Sequence, residues 1–191
     1  MTNTLPFVSP SLRRPLWIAS LVAAGVALGF AFGCAAPRAA FAAIAALTMS
    51  GRREALMLTG ALWFANQAVG FLFLHYPTQA STLAWGGAMG VISLLSCEAA
   101  GRTARRLKGL AGAGAAFVAA FLAAFVVYKG LIFGFGVAMG LSAGHVDTLL
   151  ATLPRIFLIN ACVFAGLGAL YALGAAARRN GETAALTPRH V

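Results

Sequence analysis

The sequence predicts an all-α integral membrane protein, a compact bundle of about six transmembrane helices with both termini in the cytoplasm. Three observations carry this. First, 61% of the 191 residues are hydrophobic and only 9% are charged, with a mean hydropathy of +0.87, which leaves too little charged surface to dissolve a domain of this size. Second, apolar runs recur from end to end with short polar breaks between them, so one membrane domain is expected, without a soluble module. Third, the basic residues cluster at the ends of alternate runs, which is how a topology signal distributes them.

The runs cover residues 16–33, 35–48, 54–74, 81–97, 110–128 and 155–177. Most approach the roughly 20 residues that cross a hydrocarbon core, and the second, shorter one is expected to borrow from its flanks. Arg13 and Arg14 precede the first run as in a signal peptide, but that run is too long for one and further spans follow it. Six spans place Arg13, Arg14, Arg52, Arg53, Arg102, Arg105, Arg106, Lys108, Arg178 and Arg179 on one side, and Arg38, Lys129 and Arg155 on the other. The positive-inside rule then puts both termini in the cytoplasm of a multi-pass plasma (inner) membrane protein. The expected divisions are a cytoplasmic segment 1–15, a transmembrane domain 16–177 and a cytoplasmic tail 178–191. A seventh span over the glycine-rich stretch 130–144 would move Arg178 and Arg179 outside, so that stretch is expected to be a bent, re-entrant or extended end of the fifth helix.

Several function classes drop out. The net charge of +10 lies in interfacial clusters, so the expected surroundings are membrane lipid and no nucleic acid. Cys34, Cys97 and Cys162 are odd in number and far apart, which gives neither a disulfide framework nor a CxxC site. No HExxH, GxSxG, Walker A or GxGxxG pattern occurs, Glu54 and Glu98 adjoin arginines that explain them, and Asp147 is the lone exoplasmic carboxylate, so no enzyme is expected. A proton-coupled secondary transporter would need an acidic residue within a helix and paired repeats, and neither is evident.

The remaining chemistry gathers toward the exoplasmic ends. The connection FGCAAPR supplies Cys34, Pro37 and Arg38, LHYPTQAS supplies His75, Tyr76 and Gln79, and residues 129–155 supply His145, Asp147 and Thr148. Asn66 lies nine residues before His75, about 13 Å deeper at 1.5 Å per residue, near the membrane midplane. A carboxamide there needs a partner, because an unsatisfied polar group in an apolar medium costs a few kcal/mol. Gln67, Phe71 and His75 form one helical stripe toward the mouth, Asn66 and Gly70 the neighbouring one, and Asn160 of the last run is placed to face the same interior. Two readings stand side by side: a cavity open to the exoplasm and lined by Asn66, Gln67, Gly70, His75 and Asn160, or interhelical clamps that touch no ligand. Cys34 is likewise either a small packed hydrophobe or a soft metal ligand, with His75 or His145 as imidazole donors. Tyr76 and Trp85 are read as interfacial anchors, while Trp63 lies deeper without a reason from topology. In the first run, Ala19, Ala23 and Ala27 form one small-residue face and Gly25, Gly29 and Gly33 another, suited to internal packing or to a partner.

This layout resembles the substrate-binding S-components of energy-coupling-factor vitamin transporters, and the Ala19-xxx-Ala23-xxx-Ala27 pattern looks like that family's contact with its coupling module. The resemblance implies a six-helix uptake subunit that captures a vitamin-sized small molecule near the exoplasmic side and works with a transmembrane coupling subunit and ATPases. Its corrinoid-binding members imply a cysteine that coordinates cobalt from the protein side, which makes Cys34 the candidate metal ligand here. The corrinoid would be transported cargo, and no tightly bound cofactor is expected. The alternative is a non-catalytic membrane subunit or assembly factor of a larger complex, for instance a respiratory one. A pocket of about 300 Å³ or more favours the first reading, and a solid bundle with internally paired polar groups favours the second.

The topology is directly testable with single cysteines in intact cells. An impermeant maleimide is expected to label a cysteine at position 79 strongly and one at position 103 not at all; the reverse pattern overturns the orientation.

Overall fold

Inside a bilayer a chain has to satisfy its backbone hydrogen bonds internally, and each apolar run does so by becoming a helix. The computed structural model describes residues 10–33, 36–108, 112–140 and 143–186, with side chains described for 14–33, 36–107, 112–140 and 146–177. These residues form six helices and no strand: α1 (Pro10–Phe32), α2 (Arg38–Thr48), α3 (Arg52–Leu72), α4 (Ala80–Lys108), α5 (Gly112–Ala138) and α6 (Ala143–Leu186). Five of them are long and apolar enough to cross a membrane, as in a multi-pass membrane protein. The exception is α2, with 11 residues.

Successive helices run in opposite directions. Arg14 of α1 pairs with Glu54 at the start of α3, Arg52 donates to Glu98 late in α4 at 2.7 Å, and Trp17 of α1 meets Tyr171 late in α6 with ring centroids 5.5 Å apart. One end of the bundle therefore gathers the starts of α1 and α3 with the later parts of α4 and α6. We call it the basic end, because Arg14, Arg52 and Arg102 are held there by Glu54 and Glu98. At the opposite end the start of α4 meets the end of α5, where Trp85 and Phe135 pack edge to face at 4.9 Å.

The short helix sits in the middle. Ala39 through Ala45 of α2 are all buried, and α2 touches each of the other five helices. Alanine makes this possible, since small side chains let surrounding backbones approach closely. Its C-terminus is fastened to the basic end: Trp17 Nε1 donates to Thr48 Oγ1 at 3.2 Å and Arg14 donates to Ser50 Oγ at 2.9 Å. At 1.5 Å per residue α2 rises only ~16 Å, about half of a hydrocarbon core. Its N-terminus accordingly lies near mid-depth.

A helix end at that depth must find partners for its N–H groups within the protein. Pro37 at the N-cap offers no side-chain bond. Asn160 of α6 supplies it instead: its Oδ1 accepts from Ala40 N at 3.2 Å, while its Nδ2 donates to Ile156 O at 2.9 Å. With 1% of its surface exposed, Asn160 couples α6 to α2 across the core.

Glycine and phenylalanine set the other contacts. A Cβ at Gly25 of α1 would sit 2.6 Å from Leu62 of α3, and one at Gly90 of α4 would sit 2.8 Å from the Trp63 ring, so neither position tolerates a side chain as packed. Between α5 and α6, Phe121 stacks on Phe164 at 4.8 Å and Phe125 meets Phe157 edge to face at 5.0 Å. That geometry favours aromatic pairs beyond simple area burial.

Helix boundaries depart from the apolar runs mainly by overrunning them. The fourth helix continues past Cys97 to Lys108, because the charged stretch is itself helix-forming and Arg102 donates back to Glu98 at 2.9 Å one turn earlier. The last helix starts at Ala143 and passes through Pro154, since Val146, Leu149, Leu150 and Leu153 already give that stretch an apolar periodicity. The stretch 130–144 extends α5 to Ala138, where Gly140 at φ 82 ends it.

Asn160→Leu should leave the Ala40 amide without its acceptor and cost on the order of 1–3 kcal/mol. Thermal unfolding of the detergent-solubilised variant is expected at a lower midpoint than wild type; an unchanged midpoint would mean that α2 does not depend on this bond.

Candidate functional site

The halt of α2 at mid-depth leaves room above its N-terminus. A small cavity of about 20 Å³ lies there, between α1, α2, α3 and α4, lined by Gly25, Arg38, Thr59, Trp63, Asn66 and Ser93 among others and bounded by Ala36 and Pro37 of the connection from α1. One water needs about 10–15 Å³ by the same kind of measure, so the cavity holds little more than that. Polar side chains from α2, α3 and α4 converge on it, although the surrounding core is apolar.

Most of these polar groups are already bonded within their own helices. Thr59 Oγ1 donates to Ala55 O at 2.8 Å and Ser93 Oγ to Met89 O at 2.7 Å, which leaves each hydroxyl oxygen as an acceptor. Asn66 Nδ2 donates to Leu62 O at 2.9 Å. Trp63 Nε1 donates to Gly86 O at 2.8 Å, which supplies the reason for a deep tryptophan that topology alone lacks: it ties α3 to the glycine face of α4. Among the described residues, no buried side-chain nitrogen or oxygen lacks a hydrogen-bond partner.

Of the five residues expected to line an outward-facing cavity, the structure brings Asn66 to this one. Its carboxamide packs so closely on Gly29 of α1 that a methyl group there would overlap Oδ1. Gln67 is half-buried against α4, where a Cβ at Gly86 would lie 3.3 Å from its Oε1. Gly70 is covered by the Tyr76 ring, whose backbone N donates to Gly70 O at 3.1 Å. His75 is exposed in the α3–α4 turn with φ 53, in the left-handed region. The helix ends at Leu72, so the stripe from Gln67 through Phe71 stops short of His75. Asn160 lies beside the same α2 N-terminus, engaged with Ala40.

Cys34 falls outside the described residues, in the connection that continues through Ala36 and Pro37. The side chain of His145 also falls outside them. Cys97 is buried and Cys162 exposed, and no group of three or more His, Cys, Asp or Glu side chains among the described residues is placed to hold a metal ion. A second, largely apolar pocket of about 230 Å³ lies toward the basic end between Thr48, Ala116, Phe117, Gly168 and Tyr171. It contains none of the residues singled out from sequence.

The cavity's polar residues that the sequence does not single out are Thr59 and Ser93. Arg38, expected on the exoplasmic side with the FGCAAPR connection, is half-buried as the first residue of the half-length helix. The signal was the shortness of the run at 35–48, which stops a helix before it reaches the far side.

Comparison with known proteins finds no matching family model, no matching curated protein and no matching solved structure.

Gly29→Ala should displace Asn66 and destabilise the bundle by about 1–3 kcal/mol through overpacking. Asn66→Ala removes the clash, so the double variant is expected to recover most of the loss in a thermal-unfolding cycle. Additive losses would mean that the two residues do not meet.

Proposed function

We propose that this chain is a membrane-embedded binding subunit that captures a vitamin-sized organic molecule, with both termini in the cytoplasm of the inner membrane and the cavity opening to the exoplasm. The observation that carries this reading is the convergence of Arg38, Thr59, Trp63, Asn66 and Ser93 on one cavity at the end of a half-length helix. Irregular backbone at membrane depth is tolerated where it is buried or lines a cavity, and interrupted helices are a recurrent way to build membrane binding sites. An intramembrane arginine is expensive and marks such sites.

Ligand binding requires the cavity to enlarge, since small-molecule sites occupy about 300–1,000 Å³. Ala36 and Pro37 border the cavity, and Cys34 lies just before them in the sequence. A corrinoid is the candidate cargo that would use that cysteine, through a soft thiolate on cobalt. The exposed Ala19, Ala23 and Ala27 offer α1 as the face for a transmembrane coupling partner with its ATPases, because the opposite glycine face is spent on α3.

A second reading has one specific observation in its favour. Every buried polar side chain described is bonded and the cavity is little larger than one water, as in a structural subunit or assembly factor of a larger membrane complex.

Mass spectrometry of small molecules that co-purify with the detergent-solubilised protein separates the two: a retained organic ligand supports the binding subunit, and none retained after growth on varied vitamins favours the structural one. For the corrinoid, wild type and Cys34→Ala are incubated with cobalamin and with cobinamide, then gel-filtered. Retention with a shifted visible spectrum that the variant loses is the expected result. Retention with identical spectra removes Cys34 as the cobalt ligand.

A further inference from the structure

We infer that the apolar pocket between α5 and α6 at the basic end binds an anionic phospholipid, with an acyl chain in the pocket and the phosphate at Arg105 and Arg106. The inference holds for a binding subunit and for a structural one alike, because it uses none of the residues on the α2 cavity.

The pocket exists because α5 begins with small residues. Phe117 stacks on Phe164 of α6 with ring centroids 4.2 Å apart, and it presses on Gly168 so closely that a Cβ there would lie 2.5 Å from its ring. One turn nearer the basic end, α5 offers only Ala113, since its opening stretch from Gly112 to Ala116 is glycine and alanine throughout. On the α6 side Tyr171 packs its ring on Trp17 of α1, and about 230 Å³ between these walls stays unfilled. The lining is largely apolar, and the Thr48 hydroxyl on it is already engaged by Trp17 Nε1 and Ile44 O. An apolar cavity of about 150 Å³ takes a benzene-sized molecule and stays dry, so this larger one suits a stretch of hydrocarbon chain. Close-packed proteins leave few voids of that size empty, and in a bilayer the hydrocarbon at hand is lipid.

Charge decides which lipid. Ala104 of α4 lines the pocket, and the exposed Arg105 and Arg106 follow it. Arg105 folds back along α4 toward the pocket: its Nη1 lies 3.2 Å from where a Cβ on Gly101 would stand, and Ala46 of α2, next to the pocket residue Leu47, lies 3.8 Å from the same point. Glu54 and Glu98 are engaged by Arg14, Arg52 and Arg102, and among the described residues no ion pair reaches Arg105 or Arg106. The half-buried Tyr171 has a hydroxyl to donate to a phosphate or ester oxygen. Trp17 and Tyr171 mark the headgroup level, where basic pockets between transmembrane helices attract anionic headgroups. A zwitterionic headgroup would bring its own cation against these arginines, and a second copy of the chain would bring the same arginines again.

The test uses the full chain in detergent, stripped of lipid and offered equimolar phosphatidylglycerol and phosphatidylcholine with identical acyl chains, with retained lipid counted by native mass spectrometry. Retention of phosphatidylglycerol is expected, preferred about tenfold, and excess inorganic phosphate should not displace it. Arg105→Gln with Arg106→Gln should abolish the preference. Ala113→Phe, which fills the pocket from the exposed start of α5, should abolish retention of both lipids while the thermal midpoint holds. Equal retention of the two lipids, an undiminished preference in the folded double variant, or full retention in Ala113→Phe overturns the inference. So does displacement by phosphate, or a chain that retains no lipid or dimerises over the pocket. Where one variant does not fold, the other variant and the competition on wild type still decide it.

Discussion

A helix that stops halfway through an apolar slab has to bond its end groups to protein, and the Asn160–Ala40 hydrogen bond lets α2 do so. Much of the architecture follows from that constraint. The helix must be wrapped on all sides, which α1, α3, α4, α5 and α6 accomplish, and it must be narrow, which its alanines provide. Asn160 also locates α6, which otherwise meets the bundle through phenylalanine contacts with α5 and the Trp17–Tyr171 contact. The cavity lies beside the start of α2, bordered by Ala36 and Pro37.

Charge is divided between the two ends in a way that supports the same construction. At the basic end Glu98 bridges Arg52 of α3 and Arg102 of its own helix, and Glu54 joins Arg14 and Ser50. Exposed pairs of this kind contribute little individually to stability. Their use is positional: they align the starts of α1 and α3 with the later part of α4, so the register of Gly25 and Gly29 against Leu62 and Asn66 is set from that end. Among the described side chains, Glu54 and Glu98 are engaged at that end and Arg38 forms no ion pair.

The helical membrane class and the number of helices were legible because hydropathy over tens of residues and arginine clustering are strong, local signals. Helix ends were less so, since residues 98–108 are polar yet helical, stabilised by contacts such as Glu98–Arg102 that hydropathy does not register, and residues 143–154 mix polar side chains with the apolar stripe of Val146, Leu149, Leu150 and Leu153. The half-length of α2 was visible as a short run, but its consequence, an arginine at mid-depth, required knowing which end of the helix is anchored. The two asparagines were correctly conspicuous as buried polar groups needing partners, whereas the partners themselves, Ala40 for Asn160 and Leu62 with Gly29 for Asn66, depend on helix packing. The stripe from Gln67 to His75 assumed that helix periodicity persisted through the turn. The left-handed His75 and the Tyr76 ring folded over Gly70 reflect a reversal that periodicity cannot foresee.

The two parts of the proposed function meet on one helix. Gly25 of α1 borders the cavity, and its lack of a side chain lets Leu62 close in from α3. On other faces of the same helix Ala19, Ala23 and Ala27 are exposed. A partner seated on that alanine face would bear on the element that walls the cavity and leads into the 33–37 connection. Helices packed through glycine shift against one another as rigid bodies, since close-packed interfaces adopt discrete arrangements and deform little. Displacing α1 from α3 would open the space around Asn66 and Arg38, and because Trp17 of α1 holds the far end of α2 through Thr48, such a shift would pivot about the basic end while Asn160 keeps the start of α2 on α6. In the proposed reading, the Asn160 bond keeps the start of α2 in place while the wall beside it moves.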